Sequence, residues 1–269
     1  MTLVEAMRLV RDGDTVALGG NVLHRAPVAA VAELVRQRRK GLHVVKTAGA
    51  MDVDLLCAAS VAASVTFGYI AYESPFGLCR HFRKAVEDGR TEARENACYT
   101  VIMGLRAAVY GLPFLPVRGL DGSDLIAARG FRKVANPYGE GEFVAIPAIR
   151  PDVTILHVQE ADALGNGRIW GPKYEDPLMA RAARRVILTA ERIVPTERFA
   201  AEPDRTDIPG FLVDAVVHVP GGAAPCSCAG WYDIDTDMVQ AFQAVNTPDQ
   251  LHGYLDRLAE RRTAGEVQD

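Results

Sequence analysis

The chain has 269 residues, 49% hydrophobic and 24% charged, with a formal net charge of -4. This is the composition of a globular chain long enough to bury a full core, and its scattered lysines and arginines exclude a polyanion-seeking surface, so no nucleic-acid partner is expected. No apolar run approaches about eighteen residues and the N-terminal MTLVEAMRLVRDGD is charged throughout, which excludes a membrane span and a signal peptide and makes the cytoplasm the expected location.

In chain order, apolar β-rich runs predict strands at Thr15 to Gly20, Leu42 to Lys46, Ser64 to Ala71, Thr91 to Glu95, Phe143 to Ile146, Val153 to Val158, Arg185 to Thr189 and Ala215 to Val219. Helical spacing predicts helices at 2–11, 28–38, 52–60, 78–88, 98–110, 176–184 and 236–262. Near-continuous apolar strands separated by helices imply an open, mostly parallel α/β sheet covered on both faces. The stretch 111–147 breaks this rhythm with Pro113, Pro116, Pro137 and Pro147, and is expected to be a flap, an interface or a small β excursion on a single domain spanning 1–269. The polar tail at 263–269 is expected to fray.

The first strand runs into Gly19, Gly20 and Asn21, and glycines at the carboxyl end of a parallel strand let the backbone approach a ligand. The spacing is not G-x-G-x-x-G, which disfavours a nicotinamide cofactor. Glu73 and Ser74, in YESPF, end another strand. Glu95 and Asn96 end a third, where Asn96 is either an N-cap or an amide aimed at the site. Arg118, between proline turns, is placed to clamp a carboxylate or a phosphate, or to form an interface ion pair. Asp162 and Asn166, beside glycines, are expected to stabilise their own turn. The six histidines assemble into no cluster, no G-x-S-x-G elbow exists, and Trp170 and Trp231 are expected in core or interface. Five cysteines include Cys226 and Cys228 as C-x-C without zinc-type spacing, so no metal is expected.

Five phrases in fixed order, VRDGDTVALGGN, LPFLPVRG, IPAIRPDVTILHVQEADALGNG, ARRVILTAERIV and VDAVVHVPGGAAP followed by GWYDID, resemble the A-type component of the family I coenzyme A transferases. The resemblance implies a NagB/RpiA/CoA-transferase-like α/β fold, a partner B subunit of related fold in a heterodimer or heterotetramer, and a site at their junction. It implies CoA as a substrate and no bound cofactor. In that family the acyl-CoA thioester is attacked by a glutamate of the B-type partner, which becomes a glutamyl-CoA thioester and passes CoA to an acceptor carboxylate. Here the equivalent strand end carries Lys46, Thr47, Ala48 and Gly49 with no carboxylate, so the nucleophile is expected on the partner chain.

The phrases ESPF, EARE and LPFLP followed by an arginine also resemble a hydrolase branch that opens a ring in a CoA-linked cyclic diketone during steroid breakdown. There the A-type component supplies an acid near the start of the helix beginning about residue 97, paired with the arginine matching Arg118. This chain has Cys98 at that place, with Glu95 one turn earlier as the substitute. Glu95 and Arg118 are therefore the catalytic candidates of this chain, and Gly19, Gly20, Asn21, Ser74 and Asn96 the substrate-binding ones.

Overall fold

The structure, a computed structural model, describes residues 1–265. In chain order its strands are β1 (Thr15–Leu18), β2 (Leu42–Gly49), β3 (Ala62–Ile70), β4 (Glu92–Glu95), β5 (Phe114–Val117), β6 (Arg132–Ala135), β7 (Glu142–Pro147), β8 (Val153–Ala161), β9 (Gly167–Arg168), β10 (Val186–Ile193) and β11 (Ala215–His218). The helices are α1 (Leu3–Met7), α2 (Val28–Arg36), α3 (Met51–Ala58), α4 (Arg80–Glu87), α5 (Cys98–Val109), α6 (Leu125–Ala128), α7 (Asp176–Ala182), α8 (Thr196–Ala201), α9 (Thr236–Gln243) and α10 (Pro248–Gly265).

Seven strands form a parallel sheet in the order β11-β10-β8-β1-β2-β3-β4, and β9 adds antiparallel to β8. Successive residues of a strand point to opposite faces, and in β1, β2, β8 and β10 both faces are largely buried, which is why those strands read as near-continuous apolar runs. Val16, Leu18, Val44 and Ile155 enter the larger core beneath α2 and α3. Their neighbours Ala17 and Val45 face the other way, onto Val101 and Leu105 of α5 and Met179 of α7.

The chain moves one way from β1 through β2 and β3 to β4, then returns to the other side of β1 for β8, β10 and β11. The connections after β1 and after β8 therefore diverge and leave a crevice between their carboxyl ends, the place where open α/β sheets bind ligands.

The excursion at 111–147 holds an antiparallel sheet in the order β5-β7-β6, with Val117, Leu120, Val144 and Ile146 as its own small core against Met103 of α5. Two helical expectations need correction. The helix expected over 236–262 is interrupted at 244–247, and α10 restarts at Pro248, which suits a first helical position and disfavours helical geometry in the residue before it. The N-terminal helix ends at Met7 rather than residue 11, and it starts on a capping box in which Thr2 Oγ1 accepts from Glu5 N at 3.2 Å and Glu5 Oε2 accepts from Thr2 N at 2.8 Å. Of the tail expected to fray, residues 263–265 close α10 and 266–269 lie outside the described residues. No helix among the described residues is long and apolar enough to cross a membrane.

Candidate active site

The crevice is built by loops from four parts of the chain. Gly20, at φ +70°, turns the chain after β1 with its N–H on Asp176 Oδ1 at 2.8 Å. A side chain at Gly19 would meet Asp176 Oδ2 at 2.8 Å, so the close approach of the two loops demands glycine there. Asp176 also pairs with Arg25, whose guanidinium donates to the carbonyls of His157 at 2.9 Å and Pro172 at 3.2 Å. From β2, the buried ammonium of Lys46 donates to the carbonyls of Gly19 and Gly20 and pairs with Asp52 at 2.9 Å. These two buried pairs are satisfied by backbone as well as by each other, the condition under which ions are held inside a fold.

Val22 (φ +48°), Arg25 (φ +56°), Glu73 (φ +67°) and Tyr174 (φ +48°) all occupy the left-handed region. For a β-branched residue such as Val22 this is strained, and such strain persists where surrounding contacts over-determine the chain, typically around functional clefts. Here the contacts are Val22 N to Ala48 O at 3.0 Å and Arg25 N to Ser227 O at 2.7 Å.

Beside the two closed pairs sits Glu175, half-buried, in the turn that precedes α7. Thr47 of β2 and Cys98 at the start of α5 lie within its electrostatic reach, although the buried Thr47 Oγ1 makes no hydrogen bond. Burial pushes it above the ordinary glutamate range and Asp176 adds to the rise, against the opposing pull of Thr47 and Lys46. Cys98 donates to the Thr47 carbonyl at 3.5 Å, and burial, then Glu175, raises its thiol. Tyr174 is raised chiefly by burial too.

Of the residues singled out in the sequence, Gly19, Gly20 and Asn21 lie in this crevice, Asn21 half-buried with its backbone N on His24 O at 2.9 Å. Ser74 is exposed in the turn after β3, two strands further along the sheet. Glu95 is exposed on the edge strand β4. Asn96 is buried but is not the N-cap of α5: its amide donates to Arg94 O at 2.9 Å and its carbonyl accepts from Thr100 Oγ1 at 3.3 Å. Arg118 is exposed, its guanidinium 5.3 Å from the centre of the Phe143 ring. Because β5 packs back along α5, with Val117 beside Met103, Arg118 is carried toward the end of α5 that holds Cys98. Asp162 does stabilise its turn, accepting from Leu164 N at 3.0 Å and from Asn166 N at 2.9 Å.

The histidine reading needs correction. His157 Nε2 meets Glu191 Oε1 at 2.6 Å, and Glu191 also accepts from Tyr232 and from Gly221 N. Burial pushes Glu191 up, but His157, Tyr232 and Gly221 outweigh it and hold the carboxyl below its usual range. Cys228 brings a third potential metal donor within 4.8 Å, yet His157 and Glu191 already have hydrogen-bond partners. This is a satisfied polar knot under the crevice. A cavity of about 1190 Å³ opens beyond it, beside β10 and β11, but Arg192 there lies on Trp231 and Arg261 pairs with Asp235. That lining also holds the exposed Asp233, while Glu175, beside the two closed pairs, enters no ion pair among the described residues.

A parallel sheet with a crevice at its switch point, walled by the segments after β1, β2 and β8, and with Asp52 at the start of α3 paired to Lys46, places the chain among open α/β proteins that bind ligands at the carboxyl ends of their strands. The chain belongs to the coenzyme A transferase family, whose sequence pattern matches residues 1–219. It is 36% identical to the A-type component of glutaconate CoA-transferase from Acidaminococcus fermentans, over 91% of this chain and 82% of that one. The crystal structure of glutaconate CoA-transferase from that organism superposes with a TM-score of 0.90 and 34% identity over 96% of this chain and 87% of the other. The chain is also 35% identical to the cholesterol ring-cleaving hydrolase IpdA subunit of Mycobacterium tuberculosis, over 87% of this chain and 83% of that one. A crystal structure of a variant of the decarboxylase AibA/AibB matches with a TM-score of 0.88 and 32% identity over 97% of each chain.

Proposed function

We propose that this chain is the A-type component of a heteromeric CoA-transferase that moves CoA between an acyl-CoA and a carboxylate in the cytoplasm. A glutamate of a B-type partner attacks the thioester carbonyl, expels CoA as thiolate and forms an acyl-glutamyl anhydride. The thiolate attacks the glutamyl carbonyl, releases the first acid and leaves a glutamyl-CoA thioester. A second carboxylate reverses the sequence and departs as the new acyl-CoA. Each acyl activation is conserved in a covalent intermediate, so one hard step becomes two easier ones.

The observation that carries this reading is the β2 loop. The carboxyl end of β2 carries Thr47, Ala48 and Gly49, all buried, and Lys46 is locked to Asp52 of α3, so this wall supplies no free nucleophile at that position. CoA enters as a substrate, with no bound cofactor. The three-stranded excursion, with Arg118 at its edge, serves as the flap or interface that meets the partner, and Gly19, Gly20 and Asn21 supply the backbone lining.

The test is to co-purify the chain with its partner, incubate with acyl-CoA and reduce with borohydride. Reduced thioester mapped by mass spectrometry to a partner glutamate supports the reading. Label on Glu175, or full turnover by this chain alone, overturns it.

A second reading is a component of a CoA-ester ring-opening hydrolase. One observation favours it: the acid missing at position 98 is replaced in space by Glu175, which lies within electrostatic reach of Cys98, rather than by Glu95 on the sheet edge. Ring opening of a CoA-linked cyclic diketone without any trapped thioester would select it.

A further inference from the structure

A further cavity, of about 270 Å³, lies between the main sheet and the three-stranded excursion. Thr15 and His43 line it at the amino ends of β1 and β2, the end of the sheet opposite the crevice. Arg94 and Asn96 line it from the sheet edge, and Arg129 from the excursion. Arg150 completes a set of three arginines, and no carboxylate belongs to the lining among the described residues.

Arg129 is half-buried, its Nε is buried without a hydrogen-bond partner, and among the described residues it enters no ion pair. A guanidinium keeps its charge throughout the working pH range, so it cannot escape burial by losing a proton. Burial and Arg94 both work against that charge, and only Glu92 favours it. Glu92 is exposed and already paired with Arg94 at 2.8 Å. Arg150 donates to the carbonyls of Ala108 at 3.1 Å and Leu112 at 3.2 Å, so its charge too is answered by backbone alone. Like charges gathered around one cavity repel, and an anion between them turns the arrangement into an attractive one.

Neutral donors share the lining. Asn96 and Thr100 are both buried, and the Asn96 amide spends one hydrogen on Arg94 O at 2.9 Å, which leaves its second. His43 uses Nδ1 on Ser64 Oγ at 2.9 Å, which leaves Nε2.

We infer that this cavity binds a small oxyanion of the phosphate class, held by Arg94 and Arg129 together and joining the excursion to the sheet edge. The inference is independent of whether the crevice performs transfer or hydrolysis. A carboxylate carries one charge and two oxygens, enough for a single guanidinium fork. A phosphate group carries nearly two charges and three or more oxygens, which matches two guanidiniums and the amide and hydroxyl donors beside them. The cavity is smaller than the ~300–1,000 Å³ of ordinary small-molecule sites, so it takes the phosphate group itself and leaves any organic part outside. Inorganic phosphate and a phosphate monoester present the same chemistry there.

The experiment is a calorimetric titration of inorganic phosphate into the complex with its partner, at pH 7.5 and constant ionic strength in phosphate-free buffer. One phosphate per chain is expected to bind saturably and to raise the unfolding midpoint. Arg129→Ala should weaken Kd about 10–100-fold, the scale of lost hydrogen bonds to a charged group, and Arg129→Lys should recover only part of it. Lys133→Ala, on the neighbouring strand β6 but outside the lining, should change Kd by no more than about twofold. Should Arg129→Ala fail to fold, Arg94→Ala supplies the same reading, because its partner Glu92 is exposed.

Absence of saturable phosphate binding overturns the inference. So does acetate binding as tightly as phosphate, or equal losses in Lys133→Ala and Arg129→Ala, which would reduce the effect to a diffuse surface field. Competition then distinguishes the source. Displacement of phosphate by CoA but not by dephospho-CoA identifies the ribose phosphate of CoA as the occupant, and displacement by neither identifies the free anion.

Discussion

Asp176 accepts the backbone N–H of Gly20 at 2.8 Å, which fastens the turn before α7 to the loop after β1. The same carboxylate neutralises the buried Arg25, so one side chain joins the two halves of the sheet across the switch point. Removing one partner of a buried pair leaves an uncompensated charge. Asp176→Ala is expected to destabilise the chain by about 3–5 kcal/mol, read as a fall in the thermal or urea midpoint. An unchanged midpoint would mean that the pair does not hold the crevice.

Gly20 and Gly77 make a matched comparison. Both have positive φ, +70° and +77°, but a Cβ at Gly20 would lie 2.5 Å from the Arg25 carbonyl, whereas at Gly77 it meets open space. Gly77→Ala should show only the left-handed penalty of about 1–2 kcal/mol. Gly20→Ala adds a backbone collision and should lower the unfolding midpoint much further. Equal losses would show that the loop relaxes freely.

Asp54 gives the chain a pH-dependent stability. Burial raises its carboxyl to about 7, although Phe82 N at 2.7 Å and Tyr72 OH at 3.0 Å both donate to it. The unfolded value is about 3.9. The folded chain thus holds the proton more tightly, its contribution to stability is complete below about pH 4, and it is lost as pH rises toward about 7. Asp54→Asn should flatten this part of the stability curve in denaturation series between pH 4 and 8. A wild-type curve that rises over the same window, with no difference in the variant, would contradict the assignment.

Arg118 is exposed, and its guanidinium lies over the face of Phe143. Arg118→Ala should therefore move stability by no more than about 0.5 kcal/mol. In the complex it should lower kcat/KM about 10–100-fold if the guanidinium holds an anion, with Arg118→Lys only a partial rescue, since an ammonium cannot form the bidentate fork. Full activity in the alanine variant would confine Arg118 to the surface.

Much of the sheet was legible because β1, β2, β8 and β10 are buried on both faces and their apolar runs carry no competing signal. β5 and β6 were not, being short, mostly exposed and, in β5, interrupted by Pro116. Strand-end logic pointed to Gly19 to Asn21, and it applied equally to Ser74 and Glu95. Only the strand order reveals that β3 and β4 lie away from the switch point. Glu175 had no local signature: its neighbours Thr47 and Cys98 are brought by the fold from distant parts of the chain.

The adjacency of Glu175 and Asp176 separates two demands on one turn. Asp176 is committed to the architecture through Gly20 and Arg25, whereas half-buried Glu175 enters no ion pair among the described residues. A substitution at 175 is therefore expected to leave the scaffold intact, whereas one at 176 is not. An insertion or deletion between 171 and 176 would disturb both at once, so diversification at this wall is expected to proceed by substitution.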